Sequence, residues 1–292
     1  MSIIPDPQLW AVDPDHLRKL RRRHAEQAFA GSEFDRALAE AEELLSSTPD
    51  DAEALWITAR AALHIGDACM SESALRQLLN FPESNRPASE AVLLSHLSLA
   101  VFLQADFTSA SNLAQQAIRL DDSSAMAWLH LALAVERLGQ PANARVAYMQ
   151  ASKRAPNGVP PDGDDPPQAV WDHVLAAAIM HLSDDEQAVL SPLAVSWEWF
   201  PPAELLRSVQ PPISPFIEAI VSGSRPPAAA PQPGEDDLLQ LVPSAQKLTL
   251  YRGNLLRGAP ETAELVDRLV LSLRSEIAAW IGVPVEDLME PG

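Results

Sequence analysis

The chain has 292 residues, 47% of them hydrophobic, which is enough to bury a large core and to form two domains. Its 40 acidic and 21 basic side chains give a formal net charge of −19, split as −6 over residues 1–157 (20 acidic, 14 basic) and −13 over residues 158–292 (20 acidic, 7 basic). So acidic a chain repels nucleic-acid phosphates and anionic lipid; no apolar run reaches membrane-spanning length, the amino terminus has no basic segment followed by an apolar one, and the single cysteine, Cys69, rules out an internal disulfide. The expectation is a soluble cytoplasmic protein with no nucleic-acid or membrane partner.

The one basic run, Arg18-Lys19 and Arg21-Arg22-Arg23, falls on the first expected helix, where it solvates a helix face or pairs with acidic neighbours. Residues 1–157 then show a repeat. Ala25, Ala59, Ser98 and Ala132 occupy one position, and Ala37, Ser71, Ala110 and Ala144 recur twelve residues later in each unit. The successive offsets are 34, 39 and 34, and the five extra residues fit a loop around Pro82–Pro87. Small residues at these positions let paired helices approach where they cross, while larger apolar side chains fill the spaces between them. Trp128, Ala132, Gly139, Ala144, Ala151 and Pro156 of the fourth unit complete a pattern that resembles the tetratricopeptide repeat, whose 34-residue unit is two antiparallel helices. The resemblance implies about four units stacked into a solenoid with a concave face that binds a protein or peptide.

Residues 158–168 are too rich in Pro, Gly and Asp for a packed element and read as a linker; a second low-complexity stretch, 222–237, reads as a surface insertion in the domain that follows, 169–292. In that domain Trp171–His181 has a helical apolar pattern, and Ser183-Asp-Asp-Glu186 caps a further helix through Leu190. Leu193–Phe200 alternates as a strand with Leu193, Val195, Trp197 and Trp199 on one face. Lys247–Arg252 alternates as well, with Leu248 and Leu250 on the buried face and Thr249 and Tyr251 on the other. The last helix spans about Pro260–Ile281, with Leu265, Leu269, Leu273, Ile277 and Ile281 as its core stripe and Ser272, Ser275 and Ala279 on a separate small-residue face.

Three stretches of this domain resemble the minimal zincin-like metallopeptidase family: Gln210-Pro-Pro-Ile-Ser-Pro-Phe-Ile217, Leu248-Thr-Leu-Tyr-Arg-Gly-Asn-Leu-Leu-Arg257, and Glu264–Leu288 with Gly282 and Glu286-Asp-Leu288. The expected fold is therefore an all-α helical-repeat solenoid followed by a small α+β zincin-like domain. In such a family a His-Glu-x-x-His helix holds zinc, with the glutamate as general base. Here residues 275–279 read Ser-Glu-Ile-Ala-Ala, so Ser275 and Ala279 stand at the two imidazole positions, and Val285 stands where the resemblance implies an acidic third ligand. Only Glu276 remains. No histidine lies beyond His181, so a rescued site would have to borrow His173 or His181.

No other chemistry takes the place of zinc. Ser275 has no nearby histidine or lysine in sequence to activate it, and there is no glycine-rich phosphate loop or Cys-x-x-Cys pair. Arg252 and Arg257 read as solvated charges, and Trp280 as packed against the Trp197/Trp199 strand. The reading is a noncatalytic adaptor without catalytic residues, metal or cofactor. It binds through the concave face and through strand addition at an exposed edge formed by Leu248, Thr249, Leu250 and Tyr251. The alternatives are an active zinc peptidase with unusual ligands, and a second domain that only caps the last repeat.

Overall fold

The computed structural model describes residues 14–155, 165–223, 245–257 and 261–282. The chain divides into two compact units, 1–159 and 160–292.

In the first unit the described residues form eight α-helices in antiparallel pairs: α1 (Pro14–Ala30) with α2 (Phe34–Ser47), α3 (Ala52–Ile65) with α4 (Ala68–Leu79), α5 (Glu90–Leu103) with α6 (Phe107–Leu120), and α7 (Ala125–Arg137) with α8 (Pro141–Arg154). Each of α3 to α7 starts on an aspartate or serine that accepts a bond from a backbone N–H three residues on, as in Asp67 with Met70 (2.9 Å) and Asp106 with Ser109 (3.0 Å). The eight small residues that set the repeat period are all buried, none more than 3% exposed. In the third unit the crossing is also hydrogen-bonded: Ser98 Oγ donates to the carbonyl of Ala110, the matching position on the partner helix, at 2.8 Å. Helix α5 is apolar around its whole circumference and is correspondingly enclosed by its neighbours.

The five inserted residues form a loop with a short 3-10 turn at Glu83–Asn85. Arg86 anchors it by donating to the carbonyls of Leu79 (2.8 Å) and Phe81 (2.9 Å) at the end of α4 and pairing with Glu90 (2.9 Å). The basic run on α1 is paired with acids: Arg21 with Glu43, and Arg22 with Asp51 at 2.5 Å. Asp51 is buried and also caps α3, so one carboxylate joins the first two repeats.

The described part of the second unit holds α9 (Gln168–Met180), α10 (Asp184–Leu190), β1 (Ala194–Glu198), α11 (Ala203–Leu206), β2 (Ala219–Gly223), β3 (Ala245–Tyr251), α12 (Arg252–Leu255) and α13 (Thr262–Ile281). Ser183 and Glu186 form a reciprocal capping box at the start of α10. The three strands are ordered β1-β3-β2, with β1 parallel and β2 antiparallel to β3. The core gathers Trp171 and Val174 of α9, Ala219 and Val221 of β2, Leu248 and Leu250 of β3, and Leu265, Leu269, Leu273 and Ile277 of α13.

Two expectations about strands need correction. Leu248–Tyr251 is not an exposed edge: β3 is the middle strand, and both its hydrogen-bonding sides are taken. Thr249 and Tyr251, like Leu248 and Leu250, are buried, so both faces of β3 are covered and not one alone. The single buried face expected for Leu193–Phe200 is also incomplete. Leu193 is buried and Trp197 packs on the core, but Val195 and Trp199 are each 42% exposed, as befits an outer strand.

Candidate functional site

The first helices of successive repeats pack on one another, α1 on α3 and α5 on α7, more closely than the second helices do. They therefore line the inner side of the array. Glu53, Trp56 and Arg60 fall at i, i+3 and i+7 on α3 and share a face. There the Arg60 guanidinium lies between two aromatic rings, 4.2 Å from the centroid of Phe29 on α1 and 4.9 Å from that of Trp56. The cluster extends across the widened junction between the second and third repeats, where the Trp56 ring meets His96 of α5 edge-on at 4.9 Å. It also reaches the start of α2, where Phe34 stacks on His64 at 4.0 Å. Among the described residues Arg60 makes no hydrogen bond, and its Nε is buried without a partner. Burial lowers its pKa, opposed by the charges of Glu53 and Glu26.

Farther along, His130 of α7 is buried with Nδ1 2.8 Å from the carbonyl oxygen and 3.2 Å from the hydroxyl of Ser95. Burial pushes its pKa down to about 4, with the Ser95 carbonyl opposing the shift and neighbouring His96 adding to it. The Phe29–Arg60–Trp56 sandwich was not expected from the sequence. Its one local signal was the i, i+4 spacing of Trp56 and Arg60.

In the second unit, Ser275, Glu276 and Ala279 do share a flank of α13, and that flank runs beside β2. Glu276 is half-buried and accepts the backbone N–H of Val221 at 3.0 Å. Burial raises its pKa, and the Val221 N–H partly offsets the rise. Strand alternation turns the N–H groups of Ala219 and Val221 away from β3, so among the described residues one of the sheet's two edges lies along β2, and Glu276 occupies one of its donors. Between β2 and α13 lies an open groove of about 380 Å³, lined by Phe216, Glu218, Leu271, Ser272, Ser275 and Glu276 among others. Glu218 is held there by Arg268 and by the Ser272 hydroxyl.

The side chains at these positions end in one carboxylate, one hydroxyl and one methyl group, which cannot ligate. They do not fit a catalytic zinc, which takes three protein ligands. His173 and His181 are both exposed, and the His181 carbonyl binds Arg274 (3.2 Å), which points about 160° around α13 from Glu276 at ~100° per residue. Among the described residues no three His, Cys, Asp or Glu side chains come together as a metal-binding group. Val285 lies outside the described residues.

The stretch Leu248–Arg257 is occupied with structure. Arg252 sits against the rings of Trp171 (5.6 Å) and Trp197 (5.4 Å), bonds Gln168 and pairs with Asp165 at 3.5 Å. A Cβ at Gly253 would lie 2.2 Å from a Phe200 ring carbon, so only glycine fits without a shift. Asn254 Nδ2 donates to the carbonyls of Pro215 (2.9 Å) and Ile217 (2.6 Å), and Arg257 lies over Phe200 and Phe216. Arg252 and Arg257 are thus stacked cations, which corrects the reading of them as solvated charges. Trp280 packs on the core without a ring contact to Trp197 or Trp199, and its Nε1 is buried without a partner.

Comparison with known proteins bears on the first unit. The family profile described as "Tetratricopeptide repeat" matches residues 22–81 and 100–160. Similar solved structures include MamA (21% identity, 45% of this chain and 74% of that chain, TM-score 0.40) and YrrB, titled a TPR protein with an unusual peptide-binding site (14%, 55% and 76%, TM-score 0.39). An O-GlcNAc transferase of Thermobaculum terrenum also aligns (17%, 57% of this chain but 35% of that chain, TM-score 0.43). No curated protein matches the sequence. The amino-terminal half of the chain is built of tetratricopeptide repeats.

Proposed function

We propose that the protein is a noncatalytic interaction adaptor. Its repeat array holds a protein or peptide partner on the inner face of α1, α3, α5 and α7, and its second unit is a zincin-like domain from which the metal chemistry has gone. The observation that carries this reading is the inner-face cluster of Phe29, Trp56, Arg60 and His96, a set of large contact groups around a cation with no hydrogen-bond partner of its own. Such rigid aromatic and arginine groups supply most of the energy of protein interfaces. Helical repeats offer extended surface and no chemistry. No helix among the described residues is long and apolar enough to cross a membrane.

In the second unit the one acid left at the vestigial site holds a β2 backbone N–H, a role that needs no metal. The strand-addition surface assigned from sequence to Leu248–Tyr251 moves, on this reading, to the outer side of β2, where a bound strand would take the Ala219 edge and compete with Glu276 for Val221.

Zinc content separates this reading from that of a peptidase with unusual ligands. Elemental mass spectrometry of untagged full-length protein, purified without chelator, is expected to find far less than one zinc per folded chain. About one tightly held zinc per chain, lost on replacing His173 or His181, would favour the peptidase.

A further inference from the structure

We propose that the outer edge of β1 is a self-association surface, on which a second copy of the chain lays its own β1 antiparallel and so continues the sheet. Among the described residues the sheet has two outer strands, β1 and β2. On β2 the Val221 donor is taken by Glu276, and α13 runs alongside. On β1 the backbone is open. The Tyr251 N–H bonds the Glu218 carbonyl, so Thr249 and Tyr251 turn their backbone groups to β2, and Leu248 and Leu250 turn theirs to β1. Ser196, opposite Thr249, therefore faces Leu248 and Leu250, which points the N–H and C=O groups of Val195 and Trp197 outward. Among the described residues no backbone group outside the sheet bonds them.

Folded proteins guard such an edge with lysine, proline, a bulge or a covering loop. Residues 194–197 contain neither lysine nor proline, and β1 pairs with β3 without a bulge. Val195 and Trp199 instead leave 42% of their surface exposed. A two-fold axis at Ser196 makes the strand its own complement. It sets Val195 against Trp197 of the other copy, and the reverse, each pair exchanging both its N–H···O bonds and placing a β-branched side chain beside an aromatic one. Glu198, already paired with Lys247 at 3.6 Å, then lies opposite Ala194. The two copies of Glu198 stand ~14 Å apart at ~3.4 Å per residue, beyond a Debye length of ~8 Å. Pairing of β1 on β2 would not close on itself and would have to displace Glu276. The same outward bonds are open to a strand of another protein, but the match of Val195 to Trp197 and the absence of like charges across the axis favour a second copy.

The test is sedimentation velocity of the full-length protein from about 1 to 300 μM, in low and high salt. The expected result is a reversible monomer–dimer equilibrium that tightens as salt screens the −19 net charge of each chain. Val195→Lys and Val195→Pro, shown folded by thermal melting, should each weaken it about tenfold or more; the proline removes an outward donor and no bond to β3. Where the proline variant unfolds, the lysine variant carries the comparison. Ser196→Cys in a Cys69→Ser background should form a disulfide between chains on mild oxidation, because the Cα atoms of a non-hydrogen-bonded pair lie about 4.5 Å apart across the axis. Protein that stays monomeric to about 300 μM overturns the second copy as the occupant and leaves the edge to a strand of another protein. A dimer that the Val195 variants do not weaken, or that Ser196→Cys leaves unlinked, overturns β1 as the interface. Neither failure touches the repeat-face reading, which rests on the first unit.

Discussion

Replacing Asn254 by leucine is expected to destabilise the second unit by about 2–4 kcal/mol, because it strands one buried and one half-buried carbonyl at ~1–3 kcal/mol each, the latter toward the lower end. Asn254 is 1% exposed, and its amide nitrogen is the shared donor to Pro215 and Ile217. Those two carbonyls belong to the Pro211–Ile217 segment that leads into β2, so the side chain fastens that segment to the turn after β3. Leucine has nearly the same shape and leaves no large cavity, which isolates the hydrogen bonds as the cause. A domain of ordinary stability has only about 5–15 kcal/mol in total, so the loss should be plain in denaturant unfolding. Hydrogen exchange should locate it within residues 165–282, with the repeat helices unchanged. A midpoint shift corresponding to less than about 0.5 kcal/mol would mean that the turn is not held by this residue.

The repeat array should lose stability on acidification through His130. Its folded pKa is pushed down to about 4 from the ordinary 6.5, so between those values the unfolded chain takes up a proton that the folded chain refuses. Stability from this group is therefore complete above about pH 6.5, falls as the pH drops through that window, and levels off below about pH 4. The full loss is on the order of 3 kcal/mol. Replacing His130 by glutamine removes the titrating group, and the difference in unfolding free energy between variant and wild type, followed from pH 7.5 to 4, should shift by that amount in favour of the variant. A difference that stays constant with pH would show that the imidazole titrates alike in both states.

The repeat was legible because its signal is local and steric. Wherever two helices cross, only Ala or Ser fits, and that demand returns at a fixed interval; the eight positions so chosen are all buried. The Ser183–Glu186 cap of α10 was legible for the same reason, since a cap acts within one turn. Lateral order in the sheet was not. Ala219–Gly223 runs directly into a low-complexity stretch and was not expected as a strand, so Leu248–Tyr251 seemed to have a free side when β2 in fact covers it. Side-chain alternation tells which face a residue occupies but not which strand lies alongside.

Charges away from their partners were misread for a related reason. Arg252 and Arg257 look like surface cations in a sequence, yet each is stacked on rings supplied by other elements, Trp171 and Trp197 for the first and Phe200 and Phe216 for the second, while Arg60, of which nothing was expected, meets Phe29 of α1 and Trp56 of its own helix. Only Trp56 lies within a helical turn of its arginine. That no imidazole stands at 275 or 279 could be read directly because it depends on residue identity alone. That Glu276 had acquired a backbone partner on β2 depends on tertiary packing and could not.

The measurement that tests the central claim most directly is site-specific photocrosslinking in the cells that naturally make the protein. A benzophenone amino acid is placed at Glu53 of α3 or Leu99 of α5 on the inner side, and at the exposed Glu42 of α2 or Gln116 of α6 on second helices. The account predicts that the inner positions crosslink to the same discrete partner, that the outer ones do not, and that Arg60→Gln weakens the inner crosslink. Capture from the outer helices alone, or no crosslink from any inner position in folded, expressed protein, would contradict the assignment of the repeat face as the binding surface.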